Sequence, residues 1–113
     1  MTAQLPFIKF KEREDTKGIK LSYLKADMPL KEFAQIQMKK GWFSVGYNYL
    51  LHADGSMEEG IHHTQLCDPT INGYEDHVCV LVMGQCEGKL NPMQQSALEV
   101  LAGELKLPII VGD

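Results

Sequence analysis

The stretch His77-Val78-Cys79-Val80-Leu81-Val82-Met83 is apolar at every position after the first. A continuous run of β-branched and aliphatic side chains is typical of a strand that is buried on both faces of a sheet. We therefore expect this stretch to form the central strand, with other elements of the chain covering both of its faces.

Two helices are predicted, one before and one after this strand. The first opens at Pro29, which suits a first helical turn, and closes at Gly41, because glycine readily takes the left-handed conformation that ends a helix. Its apolar stripe consists of Leu30, Phe33, Ala34 and Met38. The second opens at Asn91 and Pro92, a capping amide followed by a residue with a suitable fixed φ. Its stripe consists of Met93, Ala97, Leu98, Leu101 and Leu105.

Further strands are predicted at residues 5–10, 19–24, 45–51, 56–59 and 107–111. Asp54-Gly55 is typical of a tight turn that joins two strands of a hairpin. Residues 60–76 show no apolar periodicity and predict a long loop, where functional residues are often found. The whole pattern predicts an α/β fold, a single mixed β-sheet with two main helices packed against it, in one domain spanning residues 1–113.

Composition argues against nucleic acid and membrane as partners. The chain has 113 residues, a net charge of −4 and a pI of about 5.5, whereas nucleic-acid binders usually carry a basic surface. No run approaches the roughly 18 apolar residues of a membrane span. The three cysteines are odd in number, lack a Cys-x-x-Cys spacing and follow no apolar leader, so we expect a reducing cytoplasm. An unpaired strand edge near Ile109 could be covered in a homo-oligomer.

Five segments resemble successive parts of the type 2 N-acetylmuramoyl-L-alanine amidases, the family that includes phage amidase lysozymes and peptidoglycan recognition proteins. Each segment is weak alone, but their order and spacing agree with the family. The segments are Phe10-Lys11-Glu12-Arg13-Glu14, Gly41-Trp42 with Gly46-Tyr47-Asn48-Tyr49, the Asp54-Gly55 hairpin with Glu59-Gly60, Val78 to Gly84, and Asn91-Pro92-Met93-Gln94-Gln95.

The resemblance implies a zinc ion held by two histidines and a third ligand, which activates water against the bond between the glycan lactyl group and the first peptide residue. The first histidine position falls on Ser22, or on Tyr23 if the register slips by one. The second falls on Asp113, and the third would lie beyond the last residue. Tyr47 matches a family active-site tyrosine, and Asn48 replaces the histidine after it. Because zinc needs several converging ligands, we expect no metal, no cofactor and no catalysis.

The resulting hypothesis is an amidase-fold binding protein that works without catalysis. It would be a phage-encoded inhibitor in the host cytoplasm, and would bind a host defence protein or sequester a small signalling ligand. The alternatives are a muropeptide-binding protein and a hydrolase with a rebuilt active site. The candidate ligand-binding residues are Ser22, Tyr47, Asn48, His62, His63, Tyr74 and His77.

Other clusters have simpler interpretations. His62 and His63 with Cys67 and His77 could hold a metal, but adjacent side chains on an extended segment point apart, which favours solvated histidines. Cys79 could be a nucleophile activated by His77, but an inert buried thiol is the commoner case.

Aromatic and acidic side chains are also open to two interpretations. Aromatic faces can line a ligand groove, or they can simply pack a helix on a sheet. The aromatic candidates are Trp42, Tyr47, Tyr49 and Tyr74. Acidic side chains at the hairpin are most simply solvated, with contact to a basic partner as the alternative. The acidic candidates are Asp54, Glu58 and Glu59.

Overall fold

The computed structural model describes residues 16–41, 46–67, 75–86 and 88–110. These residues form one mixed five-stranded sheet with strand order β3-β2-β4-β1-β5 and two α-helices. The elements are β1 (Gly18–Leu24), α1 (Leu30–Lys39), β2 (Tyr49–Leu51), β3 (Met57–Glu59), β4 (His77–Met83), α2 (Pro92–Leu105) and β5 (Ile109–Ile110). The predicted α/β class and the mixed sheet are confirmed. The predicted strand at residues 5–10 lies outside the described residues.

The apolar strand β4 is central, as predicted. It runs parallel to both β1 and β2, while β3 joins the far side of β2 in an antiparallel pair. Val78, Val80 and Val82 face a core that contains residues of α2. Leu81 and Met83 face a second core with Phe33 of α1. We call these two sides of the sheet the α2 face and the α1 face.

Helix α1 ends where the sequence predicts, and three of the four residues of its predicted stripe pack toward the sheet: Leu30, Phe33 and Ala34. Gly41 follows the helix with a φ of +95°, a conformation that suits glycine. Phe33 is buried as expected, whereas Met38 is 64% exposed and Gln37 is 7% exposed. The prediction for Met38 is therefore wrong, because the spacing of apolar residues does not show how far along a helix its contact with the sheet extends.

Helix α2 has the predicted N-terminus. The Asn91 side chain accepts a hydrogen bond from Gln94 N at 2.8 Å, and Gln94 Oε1 accepts one from Asn91 N at 3.2 Å, which makes a capping box. Leu98 and Leu101 are buried against the sheet, but Met93 is 55% exposed. Gln94 is fully buried instead, because its amide also bonds to main-chain carbonyl groups of the sheet.

The second strand is shorter than predicted. Residues 45–51 were expected to be extended throughout, but β2 covers only Tyr49–Leu51, and residues 46–48 form bends. Among residues 60–67 there is no helix or extended strand, which agrees with the predicted loop. The remainder of that loop at residues 68–74, like the end of the last predicted strand at residue 111, lies outside the described residues.

Cys67 and Cys79 form a disulfide across 12 positions of sequence, and Cys86 is free and exposed. This bond links the loop after β3 to the central strand. We had expected Cys79 to be a buried free thiol, and that expectation is wrong.

Within the described part of the chain, no helix is long and apolar enough to cross a membrane.

Candidate functional site

Ser22 lies on the α1 face of the sheet. In β1, Lys20 and Ser22 pair with Cys79 and Leu81 of β4, and paired side chains in a parallel ladder point to the same face. Cys79 and Leu81 are buried, whereas Lys20 and Ser22 are only half-buried. The two β1 side chains are therefore partly open to solvent on the face that carries α1.

Ile110 of β5 extends this surface. It pairs with Lys20, and a Cβ added at Gly18 would come within 2.9 Å of Ile110 Cγ1, which places the two on one face. Lys20, Ser22 and Ile110 together present an ammonium, a hydroxyl and an apolar group. We call this half-buried surface the β1 strip.

Tyr47 packs between α1 and the loop after β3. Its ring centroid lies 6.2 Å from that of Phe33, with the rings tilted by 50°, and it contacts the small core of Ile61, Cys67 and Cys79. The side chain remains half-buried. These packing contacts explain the position of the Tyr47 ring. Contact between Tyr47 and a ligand stays a prediction.

Asn48 is fully buried, and its side chain bonds to main-chain groups of two other segments. Its Nδ2 donates to the carbonyl oxygens of Ile61, His62 and Gln65 at 3.2, 3.0 and 3.2 Å. Its Oδ1 accepts a hydrogen bond from Cys79 N at 2.8 Å. The amide therefore holds the loop after β3 against the central strand.

His62 and His63 lie together. Their ring centroids are 4.4 Å apart with an interplanar angle of 29°. The expectation that they point apart is wrong because it assumed an extended backbone, whereas Gln65 N donates to His62 O at 2.9 Å and closes a turn here. Glu59 joins them in a group of potential metal ligands.

His77 opens β4 and its Nδ1 lies 2.7 Å from Asp76 Oδ1. It shares the α1 face with Ser22, but the register pairs His77 with Gly18, four residues before Ser22. The separation along the strand is about 13 Å, so these two candidates do not form one cluster. Cys79 is no nucleophile while it is bonded to Cys67. Tyr74 and Trp42 lie outside the described residues.

A histidine that we did not single out from the sequence lies between two carboxylates. Its Nδ1 is 2.7 Å from Asp27 Oδ1 and its Nε2 is 2.7 Å from Glu58 Oε1, and the residue, His52, is 9% exposed. Asp27 also accepts from Ala53 N, and Glu58 accepts from Leu30 N at 2.8 Å. We call Asp27, His52 and Glu58 the His52 latch, because it ties the start of α1 to β2 and β3.

The two carboxylates of the latch favour the charged form of the His52 imidazole. Burial opposes a charge on the imidazole, but hydrogen bonds to Asp27 and Glu58 and the charge of both carboxylates outweigh it and raise the pKa of His52. The backbone N–H of Leu30 and the His52 side chain lower the pKa of Glu58. The arrangement therefore favours an imidazolium between two carboxylates.

A cleft opens beside the latch at the carboxyl ends of β1 and β2. Its volume is about 490 Å³, and its walls come from the latch, from Met28 and Pro29, and from the turn that holds Asp54 and Ser56. This volume falls within the range of about 300–1,000 Å³ that is usual for small-ligand sites. No spacing in the sequence indicates this site, because Asp27 and Glu58 are brought together only by the fold.

The zinc pattern implied by the resemblance does not fit the described residues. Ser22 stands at the first histidine position, and a serine hydroxyl is not among the usual protein ligands of zinc. The second position, Asp113, lies outside the described residues. Ser22 therefore does not supply a zinc ligand of the family kind.

Solved structures identify the class of fold. The protein matches N-acetylmuramoyl-L-alanine amidase LysC from Clostridium intestinale with a TM-score of 0.65 and 15% identity, over 90% of this chain and 78% of that chain. It matches PGRP-Hd from Alvinella pompejana with a TM-score of 0.72 and 17% identity, over 97% of this chain and 81% of that one. A complex of tracheal cytotoxin with the ectodomains of peptidoglycan recognition proteins LCa and LCx also matches. The TM-score is 0.68 and the identity 17%, over 90% of this chain and 75% of that chain. The fold is that of the amidases and peptidoglycan recognition proteins.

Two curated relatives identify the family. The endolysin of Klebsiella phage KP32 is 30% identical over 111 residues, which cover 88% of this chain and 73% of the relative. The endolysin of Enterobacteria phage K11 is 28% identical over 110 residues, covering 88% and 72%. No protein-family model matches the chain. The chain belongs to the N-acetylmuramoyl-L-alanine amidase family, together with these phage endolysins.

These relationships overturn one prediction. We expected a chain without catalytic activity because Ser22 stands where the resemblance places a zinc ligand. Both curated relatives are endolysins and one matching structure is an amidase, so kinship points to an enzyme. The replacement at Ser22 alone is not evidence of inactivity.

Proposed function

We propose that this chain acts on bacterial peptidoglycan as a hydrolase of the endolysin kind, with an active site built differently from the family's zinc centre. The observation that carries the proposal is the kinship with two phage endolysins. The similarity to peptidoglycan recognition proteins supports the same class of ligand. The bond to be cleaved is the amide between N-acetylmuramic acid and L-alanine.

The β1 strip is the proposed binding surface for the stem peptide. A stem peptide offers carboxylates, amides and small apolar side chains. Lys20, Ser22 and Ile110 offer an ammonium, a hydroxyl and an apolar contact on the α1 face. This surface is half-buried, which allows contact with a flexible ligand without rearrangement of the sheet.

The cleft beside the His52 latch is the proposed place of bond cleavage. It lies on the same face as Ser22, because Glu58 pairs with Leu50, a residue of the α1-face core. A protonated imidazole can pass a proton to a departing amine, and a carboxylate can take one from water. In the latch, His52 supplies the imidazole, and Asp27 and Glu58 supply the carboxylates. Each carboxylate lies 2.7 Å from one imidazole nitrogen.

Purified protein and peptidoglycan sacculi test this proposal. Hydrolysis is measured as loss of turbidity and as new L-alanine amino termini identified by mass spectrometry, and binding is measured by calorimetry with soluble muropeptide. We expect cleavage by the unaltered chain. No cleavage together with no muropeptide binding would contradict the proposal, and binding without cleavage would contradict its hydrolytic part.

Two pairs of variants separate binding from cleavage. Ser22→Arg should weaken muropeptide binding, whereas Ser96→Arg on the exposed side of α2 should not. Glu58→Gln should lower the rate by about 100-fold, a usual effect of losing an acid–base group, while muropeptide binding persists. Glu99→Gln, an exposed glutamate of α2, is its matched control. Full activity of Glu58→Gln would remove the latch from the mechanism.

The inhibitor hypothesis stays a prediction. Among the described residues, no contact identifies a host protein or a signalling ligand as the partner. Kinship with endolysins favours a ligand from the cell wall instead.

A further inference from the structure

Three potential metal ligands come together in the loop after β3. Glu59, His62 and His63 each offer one ligand atom, and these atoms all lie within 4.8 Å of one another. Zinc bonds of about 2.0–2.2 Å in a tetrahedral site place ligand atoms about 3.3 Å apart. Zinc binding would bring these atoms closer by side-chain rotation, with Glu59 and His62 exposed and His63 half-buried.

The backbone beneath these ligands is held in place. Asn48 Nδ2 donates to the carbonyl oxygens of Ile61, His62 and Gln65, and the turn closed by Gln65 N keeps the two histidine rings on one side. The disulfide of Cys67 ties the end of this segment to β4. A ligand set on a fixed backbone loses less conformational entropy when it binds a metal.

Hydroxyl groups also orient the side chains of His62 and His63. His62 Nδ1 lies 2.8 Å from Thr64 Oγ1, and His63 Nδ1 lies 3.5 Å from the Tyr49 hydroxyl. With Nε2 on the metal, the Nδ1–H of each ring would donate to the hydroxyl oxygen beside it. Such outer partners fix the orientation of metal ligands.

The cluster lies on a different side of the sheet from the proposed peptidoglycan site. Glu59 pairs with Tyr49, and Tyr49 packs against the α2-face core. The β1 strip and the His52 latch are on the α1 face. A metal at this cluster would therefore be separate from the proposed hydrolysis, and either idea can fail without the other.

We propose that Glu59, His62 and His63 form a zinc-binding site. Two imidazole nitrogens and one carboxylate suit Zn(II), whereas Ca(II) and Mg(II) prefer oxygen ligands throughout. Three protein ligands leave a fourth position for water. The site would lock the loop after β3 to the end of that strand.

The test uses the full chain freed of metal by a chelator and then dialysed. Zinc binding is measured by competition with a chromophoric chelator, with Co(II) absorption as a second readout of tetrahedral geometry. We expect one zinc per chain with micromolar or tighter affinity, and a rise in Tm with zinc concentration, because a ligand that binds only the folded state stabilises it. Failure to bind zinc at 100 μM, which is about 100 times a micromolar Kd, would overturn the proposal.

Variants assign the ligands. His63→Ala and Glu59→Gln should each weaken zinc binding by at least about 100-fold, and Tyr49→Phe by about 10-fold, as is usual for outer partners. His77→Ala and Glu99→Gln are matched controls that should bind zinc as the unaltered chain does. Equal losses in His77→Ala and His63→Ala would place the metal elsewhere. The Tm of each zinc-free variant shows whether it is folded.

Discussion

Asn48 Oδ1 accepts a hydrogen bond of 2.8 Å from the backbone N–H of Cys79, which joins the segment before β2 to the centre of the sheet. The same side chain donates to three carbonyl oxygens of the loop after β3. Asn48, which the resemblance places where the family has an active-site histidine, is here a buried connection between two segments. These hydrogen bonds explain how the loop that carries His62 and His63 is held in one conformation.

Replacement of Asn48 by alanine should lower the free energy of unfolding by about 3 kcal/mol, because several buried main-chain groups lose their partner. Urea denaturation followed by circular dichroism measures this. Asn91→Ala, which removes the cap of α2, should cost only about 1 kcal/mol. A cost for Asn48→Ala no larger than that of Asn91→Ala would contradict the structural role assigned to Asn48.

Reduction of the disulfide between Cys67 and Cys79 should lower the free energy of unfolding by about 3 kcal/mol, because the closed loop spans 12 positions. Thermal melts with and without a phosphine reductant measure the change, and thiol titration of the folded oxidised protein should find one free thiol, Cys86. Cys86→Ser is the control and should leave the response to reductant unchanged. A second reactive thiol in the oxidised protein would argue against this pairing.

The stability should depend on pH through the His52 latch. The pKa of His52 is raised from its usual value of 6.5, so its stabilisation is fully present below 6.5 and is lost as pH rises through the folded value. The pKa of Glu58 is lowered from 4.5, so its stabilisation is present above 4.5 and is lost as pH falls through the folded value. We expect the highest free energy of unfolding between pH 4.5 and pH 6.5, the usual pKa values of the two groups.

Urea denaturation across pH 4 to 9 checks this dependence, and His52→Gln should flatten the decline above about pH 6.5. A variant that keeps the same decline at high pH would show that another group titrates there.

Replacement of Gln94 by alanine should lower the free energy of unfolding by about 3 kcal/mol, because a cavity forms and buried carbonyl groups lose a donor. Gln94 Nε2 donates to His52 O at 3.2 Å and to Met83 O at 2.9 Å. Gln95→Ala, one position later and exposed, should change the free energy of unfolding by no more than about 0.5 kcal/mol. Similar costs for the two variants would refute the role of Gln94 as a connection between α2 and the sheet.

Patterns with a short physical range were predictable. The apolar run of β4 requires burial on both faces, and the capping pair Asn91 and Pro92 acts within one turn of α2. Gly55 in the hairpin turn has a φ of +89°, as a tight Asp-Gly turn requires. In each case the residues that decide the structure are neighbours in the chain.

The limits of each helix's contact with the sheet were less predictable. Met38 and Met93 continue apolar stripes but are exposed, whereas Gln37 and Gln94 are buried. A stripe shows that a helix has an apolar side, but the partner surface decides which of its edges is covered. Gln94 is buried because the carbonyl groups of His52 and Met83 lie within its reach.

By itself, the sequence determined the class of fold, the central strand, the start of α2 and the resemblance to the amidases, because these rest on local patterns and on the order of segments. Only the tertiary structure decided the sites. The His52 latch joins residues 25 and 6 positions away from His52, and the paired rings of His62 and His63 depend on a turn that distant Asn48 holds. Contacts between residues remote in sequence form only when the chain folds, so no spacing along the chain encodes them.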